Sequence, residues 1–297
     1  MPPKGKSWRI SSAEDGPEMT DFENDPDYEE CLVTFFDVLG FRNLLHTRSG
    51  AEIRDLLSMF RRVSEGDATP LTCSDEMRMI SEVHAEIVSD AIVRTKTIET
   101  QYQAGPLVWE LIDLLHIQIE CVANGILVRG AMTIGPMHLG IDFSGPVFGP
   151  ALVQAYFMEE GEVIFPRIAI HEDVIERHRQ DQTLWREGHS YEDEERHLNN
   201  LLRQDESGLH YIDYLRASLS ELDGEYAGWI EFLGRHKTLV ESGLADSPNA
   251  TVRRKYSWLK NYHNAVIDGN MANLEPGAMT EDGDPWEALF RGLRIEA

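Results

Sequence analysis

The chain reads as an α+β protein: a largely antiparallel sheet with helices on one face, followed by a mainly helical C-terminal part. Three observations predict this. Up to about residue 171, short runs with period-two alternation are interleaved with stretches of helical spacing. The strand-like runs are joined in one place by a tight hairpin. Beyond residue 181 most apolar residues recur at helical spacing, and no fixed-period repeat interrupts the order.

Residues 1 to 29 are rich in Pro, Gly, Asp and Glu and lack apolar periodicity, so they read as a mobile acidic tail. From Cys31 to Phe36, two apolar sets alternate, which predicts a strand covered on both faces and places Asp37 at its end, in phase with Val33 and Phe35. Gly40 and Phe41 open a short turn. Ser49 and Glu52 then form a capping box ahead of Ile53, Leu56, Leu57 and Phe60, predicting a helix over 50–64. Residues 65–80 read as a loop. Two β-rich runs over 82–96 meet at Ser89 and Asp90, which predicts a hairpin with Asp90 at its tip.

Pro106 can open a helix whose face is Val108, Leu111, Leu115, Ile119 and Val122, stopped by Asn124 and Gly125. A strand follows over 126–134, with Arg129 on its less apolar face. Then come a Gly/Pro-punctuated arm, a helix over 151–160 and a strand within 165–170. In the remainder, one strand is expected within 208–215, and amphipathic stretches lie near 223–242 and 250–267. The expected organisation is a tail over 1–29, a core domain over 30–178 and a helical extension over 179–297 packed on it.

Composition narrows the function. The 297 residues carry 52 acidic against 27 basic side chains, a net charge of −25, which argues against general binding to nucleic acid or anionic membranes. Cys31, Cys73 and Cys121 form no CxxC pair and read as buried thiols of a reducing compartment. No signal-peptide pattern or long unbroken apolar stretch is present, so a soluble cytoplasmic protein is expected.

The chemistry lies at the two aspartates. Alone, Asp37 would serve as a capping residue and Asp90 as a turn residue. Together, each at the end of a β-rich run, they supply hard oxygen donors for divalent cations, and two such cations can clamp a phosphoryl displacement. No Walker A, GxSxG, GxGxxG or HExxH motif competes with this reading.

The segment Phe35-Phe36-Asp37-Val38-Leu39-Gly40-Phe41 resembles the first metal-binding strand and turn of class III nucleotide cyclases. Ser89-Asp90-Ala91 stands where that family carries its second metal aspartate, residues 126–140 resemble its Arg-Gly strand and arm, and residues 145–160 resemble its following helix. The GFR after Asp37, the SD of the hairpin, the RGA at 129–131, the FGPALV at 148–153 and the FPR at 165–167 are closest to the pyrimidine cyclases of the Pycsar antiphage systems. The similarity covers roughly residues 31–171.

The resemblance implies a class III cyclase-like sandwich that converts UTP, or as second choice CTP, to a 3′,5′-cyclic nucleotide and diphosphate. Two Mg²⁺ or Mn²⁺ ions would be held by Asp37, Asp90 and the Val38 carbonyl. Phe36, Val38, Leu39, Gly40 and Phe41 would line the nucleotide, with the amides of Leu39, Gly40 and Phe41 on the β- and γ-phosphates. It also implies a homodimer with shared sites and a separate cyclic-nucleotide-responsive effector. The apolar arm residues Met137, Leu139, Ile141 and Phe143 would suit an isologous contact, or packing within one chain.

Two departures bear on substrate and mechanism. Purine-specific members carry a lysine four residues before the second metal aspartate and an aspartate or threonine before the helix; here these positions hold Glu86 and Pro146, which cannot make the same bonds to a purine edge. The helix positions that ordinarily supply an asparagine and an arginine hold Val153 and Phe157. Arg129 and Arg167 are the candidates to replace that arginine, with salt bridges as their alternative use; Arg94 reads as an exposed strand residue. A catalytically inactive nucleotide-binding module is the competing reading. A palm-type synthetase joining two nucleotides is the third, although its GG(D/E)EF-type hairpin is absent.

Overall fold

A computed structural model describes residues 25–64, 83–88, 90–98, 103–140, 146–222, 226–247, 249–280 and 283–296. Residues 1–24 of the expected tail, the loop over 65–80, Cys73, Ile141 and Phe143 lie outside these residues.

Strand β1 (Glu29–Val38) is followed by α1 (Phe41–Thr47) and α2 (Gly50–Ser64). The capping box is formed: Ser49 Oγ accepts from the Glu52 amide (3.3 Å), and Glu52 Oε2 accepts from the Ser49 amide (2.7 Å). The hairpin of β2 (Val83–Val88) and β3 (Ala91–Thr97) brackets Asp90. Helix α3 (Pro106–Ala123) starts on its proline and leads to β4 (Val128–Met137). Then come α4 (Pro150–Gly161), β5 (Ile168–Ile170) and α5 (Glu172–Gln180). The C-terminal part contributes α6 (Tyr191–Leu201), β6 (Leu202–Gln204), β7 (His210–Ile212) and α7 (Tyr214–Glu221). Helices α8 (Tyr226–Ala245), α9 (Ala250–Asn273) and α10 (Trp286–Leu293) complete it.

The strands form one sheet in the order β2-β3-β1-β4-β5-β7-β6, antiparallel except for β4 beside β5. The expected α+β arrangement is therefore observed. Its helices are not confined to one face. Leu32, Phe36 and Ile92 join α2 and α3 in the main core, whereas Cys31, Val33 and Val93, on the other face, pack with Ala151 of α4. Helix α4 can approach β1 and β4 because it presents alanines there: Ala151 and Ala155 are fully buried.

Close strand pairing accounts for the glycine after Arg129. A Cβ at position 130 would lie 2.3 Å from Phe36 Cβ and 2.6 Å from the Phe35 carbonyl, so only glycine lets β4 meet β1 there. Strands β6 and β7, from beyond residue 178, extend the same sheet through the pairing of β7 with β5. Helices α7, α8 and α9 share the main core with α3 through Leu215, Trp229, Leu233 and Leu259.

The structure decides between two readings of the arm and corrects one expectation. Met137 and Leu139 are packed within the chain, against Cys31, Val33 and Ala151, so they are not a free surface for a second copy. Arg94 is fully buried on the α3 side. It donates to Glu110 (2.7 Å) and to Asp113 (2.5 Å), and Lys96 lies 3.7 Å from both carboxylates. An arginine inside an apolar strand run is stable only with such partners.

Candidate active site

Asp37 occupies the last turn of pleat in β1, opposite Ala91 of β3 and Arg129 of β4. The Asp90 carbonyl accepts from the Val38 amide (3.2 Å), which ties the hairpin tip to the end of β1 and brings the two aspartates together. Arg129 reaches back along the same face, 3.6 Å from Asp37 Oδ2, and also pairs with Glu159 of α4. Its Nη1 donates to the Val163 carbonyl (3.2 Å). Lys255, half-buried on α9, adds a second positive charge within electrostatic reach of Asp37, Glu159 and Arg129.

The electrostatics of this group are strained towards neutrality. Burial pushes the Asp37 carboxyl above its usual range; the Arg129 charge opposes this, and Asp90 adds to it. Burial raises Glu159 further, to about 7, against the pull of Arg129 and with a small push from Asp37. Burial lowers Lys255, assisted by the Arg129 charge and countered by Asp37 and Glu159.

A linkage prediction follows for metal-free protein. Folded Glu159 holds its proton more tightly than the unfolded chain does, so its stabilising term is present below the ordinary Glu pKa and is lost as pH rises through about 7. The thermal midpoint of Glu159→Gln minus that of wild type should therefore be more positive at pH 8 than at pH 5, by the equivalent of about 2 kcal/mol. Thermal melts across that range check it, and a flat difference would overturn the assignment.

The residues fit divalent cations. Asp37 Oδ1 is buried and makes no hydrogen bond, a state that in a folded protein calls for an ion or a water. The crowding of Asp37 by Asp90 is the repulsion that a cation relieves. Among the described residues no cluster of three or more His, Cys, Asp or Glu side chains is placed to hold a metal ion. The candidate donors are the two carboxylates and the Val38 carbonyl, a set that would suit Mg²⁺ or Mn²⁺ completed by phosphate oxygens and water.

Several sequence-based assignments change. Phe36 turns its side chain to the opposite face, fully buried and edge-on to Phe60 at 5.5 Å, so its ring is not on the Asp37 face. The Leu39 amide donates to the Leu127 carbonyl (2.8 Å) and is not available to a phosphate. Of the proposed amide cradle, the Gly40 and Phe41 positions remain. Gly40 has φ 74°, and a Cβ there would meet nothing within 4 Å, so the space above the turn is open. Phe41 itself packs into the core.

Arg129 lies at the site; Arg167 does not serve it. The Arg167 guanidinium is buried, pairs with Asp205 (2.5 Å) and lies 4.6 Å from the Tyr211 ring centroid and 5.5 Å from that of Trp258. It clamps α9 and β7 to the strand, and it makes no hydrogen bond or ion pair with Asp37 or Glu159. Val153 and Phe157 are exposed on α4, with Tyr156 between them.

Sequence reasoning missed Glu159 and Lys255. The signal for Glu159 was available: an acidic residue eight positions after Ala151 on the helix that faces β4. Lys255 gave none, because nothing in an amphipathic stretch says which surface it will meet.

No family model matches the chain, and no curated protein matches it. Among solved structures, it is similar to catalytic domains of nucleotide cyclases. One is the monomeric guanylyl cyclase domain of the RhoGC fusion protein from the aquatic fungus Blastocladiella emersonii, at TM-score 0.40 and 14% identity, covering 62% of this chain and 95% of that one. Another is the guanylate cyclase domain of RhGC from Catenaria anguillulae in complex with GTP, at TM-score 0.38 and 14% identity over 62% and 96% of the two chains. A bacterial light-regulated adenylyl cyclase gives TM-score 0.36 and 15% identity over 52% and 82%.

Proposed function

We propose that the chain is a metal-dependent nucleotide cyclase that acts on a pyrimidine nucleoside triphosphate, UTP before CTP. The observation that carries the reading is the juxtaposition of Asp37 with the Asp90 hairpin tip, with the buried Asp37 Oδ1 unpartnered. The sequence motif around both residues points to the same chemistry.

Asp37, Asp90 and the Val38 carbonyl would hold the two cations. Bound Mg²⁺ or Mn²⁺ would lower the pKa of the ribose 3′-hydroxyl and neutralise charge on the triphosphate. The 3′-oxygen forms a bond to the α-phosphorus, the bond from that phosphorus to the bridging oxygen breaks, diphosphate leaves with the electron pair, and the hydroxyl proton passes to solvent. Arg129 fixes the orientation of Asp37 and balances its charge together with that of Glu159.

Glu86 supports the pyrimidine substrate. The strand register aligns it with Val93, Phe35 and Ala131 on the Asp37 face, where a carboxylate cannot reproduce the bonds a lysine makes to a purine. The exposed apolar face of Val153, Tyr156 and Phe157 supports a homodimer. Among the described residues no helix is long and apolar enough to cross a membrane. In this reading the cyclic product signals infection to a separate effector.

Incubation with Mn²⁺ and each of the four nucleoside triphosphates, followed by mass spectrometry, tests the assignment. Cyclic UMP or cyclic CMP is the expected product. Binding without turnover would favour the inactive module, and a dinucleotide product would favour the synthetase. Sedimentation of the active protein as a monomer at every concentration would remove the dimer.

A further inference from the structure

The group that steadies the transferring phosphate is not provided by α4, whose outward positions 153 and 157 are apolar and exposed. It is not provided by the arginines either. Arg129 has its guanidinium divided among Asp37, Glu159 and the Val163 carbonyl. Arg167 is enclosed by Asp205 and aromatic rings, and Arg94 is buried on the other face of the sheet. Among the described residues, the other cation that acts on Asp37 is the Lys255 ammonium, from the C-terminal part.

We propose that Lys255 of α9 is a phosphate-binding residue of this site, donating to the triphosphate of the bound nucleotide and replacing the cation that position 157 lacks. The proposal rests on the cyclase reading for its substrate. Three features of the structure carry it.

The first is position. Trp258 stacks on Phe165 with ring centroids 5.0 Å apart and planes 7° from parallel, and it meets Tyr211 edge-on at 6.0 Å. Arg254 lies over the same Phe165 ring, 5.7 Å from its centroid. Phe165 is two residues before Arg167, whose carbonyl accepts from the Gly130 amide (3.0 Å), beside Arg129. Helix α9 is therefore fastened to the end of the sheet that carries Asp37. Lys255 stands one turn before Trp258, on the same side of the helix.

The second is availability. Lys255 makes no hydrogen bond or ion pair with any described residue, although carboxylates of Asp37 and Glu159 lie within its field. Its ammonium thus stands within the influence of the site's carboxylates and is not consumed by a partner among the described residues. The third is chemistry: a lysine is a compact point charge with three rotatable donors on a flexible stem, suited to following a phosphate as it moves from substrate to leaving group.

The test uses the full chain as wild type, Lys255→Met and Lys255→Arg. Titration calorimetry with Mn²⁺ and 3′-deoxy-UTP, which has the triphosphate but no nucleophile, reads binding; turnover of UTP reads catalysis; thermal melts read folding. The Met variant should lose about tenfold or more in affinity for the analogue and about 10²-fold in kcat, with an unchanged thermal midpoint. The Arg variant should recover most of both.

Active wild type together with a Met variant unchanged in affinity and kcat would overturn the role of Lys255 and leave the cyclase reading intact. If wild type forms no cyclic nucleotide, the cyclase reading fails, and the calorimetry still decides Lys255: loss of analogue affinity in the Met variant upholds the phosphate contact, and equal or absent binding in both removes it. A Met variant that melts early is replaced by Lys255→Gln, judged by the same two readouts.

Discussion

Replacing Asp37 with asparagine is expected to lower cyclic-nucleotide formation by about 10³-fold and, in the same protein, to raise the thermal midpoint measured without metal. The two effects share one cause. Burial and the Asp90 charge hold the Asp37 carboxyl above its usual pKa, so at neutral pH the folded chain keeps a charge that the unfolded chain would carry more easily. Asparagine removes that charge while retaining the shape. It also removes an oxygen donor with no substitute in the strand. A second readout isolates the metal: Mn²⁺ should stabilise wild type by mass action and leave the variant nearly unchanged. Retention of turnover within tenfold of wild type would sink the assignment of Asp37.

The second large effect is on stability alone. Arg94→Met should cost about 3–5 kcal/mol, a fall of roughly 10 °C in thermal midpoint. The lost guanidinium leaves Glu110, which is 1% exposed, facing only Lys96 at 3.7 Å, and leaves the Ser64 carbonyl without its donor. Glu110→Gln should be comparably damaging, because two buried cations would then share Asp113 alone. Combining Arg94→Met with Glu110→Met should cost much less than the sum, since the pair is removed together. Additive losses in the double variant would show that these residues act independently. The cluster lies behind β3, the strand that begins just after Asp90, so the same measurements should show the Mn²⁺ stabilisation weakened in the single variants.

Much of this arrangement was legible before any coordinates. The strand ending at Asp37 and the hairpin bearing Asp90 follow from period-two alternation, which also fixes the face each side chain takes. The capping box at Ser49 and the proline opening α3 marked helix starts for local reasons, and local reasons survive folding. The failures share a different character. Arg94 was read as exposed because a strand pattern shows which residues are polar but not what lies across from them. Glu110 and Asp113, acidic residues in a strongly apolar helix, were the complementary sign.

Leu39 was misassigned for a related reason. Whether an amide at a strand end is spoken for depends on the neighbouring strand, here on the Leu127 carbonyl. Arg167, one residue before β5, stands level with Arg129 of β4, yet one meets Asp37 and the other is enclosed by Asp205, Tyr211 and Trp258. Their separation is set by residues beyond 200, which no local pattern connects to either arginine.

The pairing of β5 with β7 has a bearing on how such a protein can be taken apart. Strand β5 has three residues and is flanked on both sides, by β4 and by a strand from beyond residue 178. Cutting the chain at that boundary would uncover a row of unsatisfied amides and carbonyls beside an apolar strand, an invitation to edge-to-edge association. The portion bearing the two aspartates is for that reason a poor candidate for transplantation into fusions or for study as a minimal fragment. The portable unit includes α10, whose Phe290 and Leu293 join the main core.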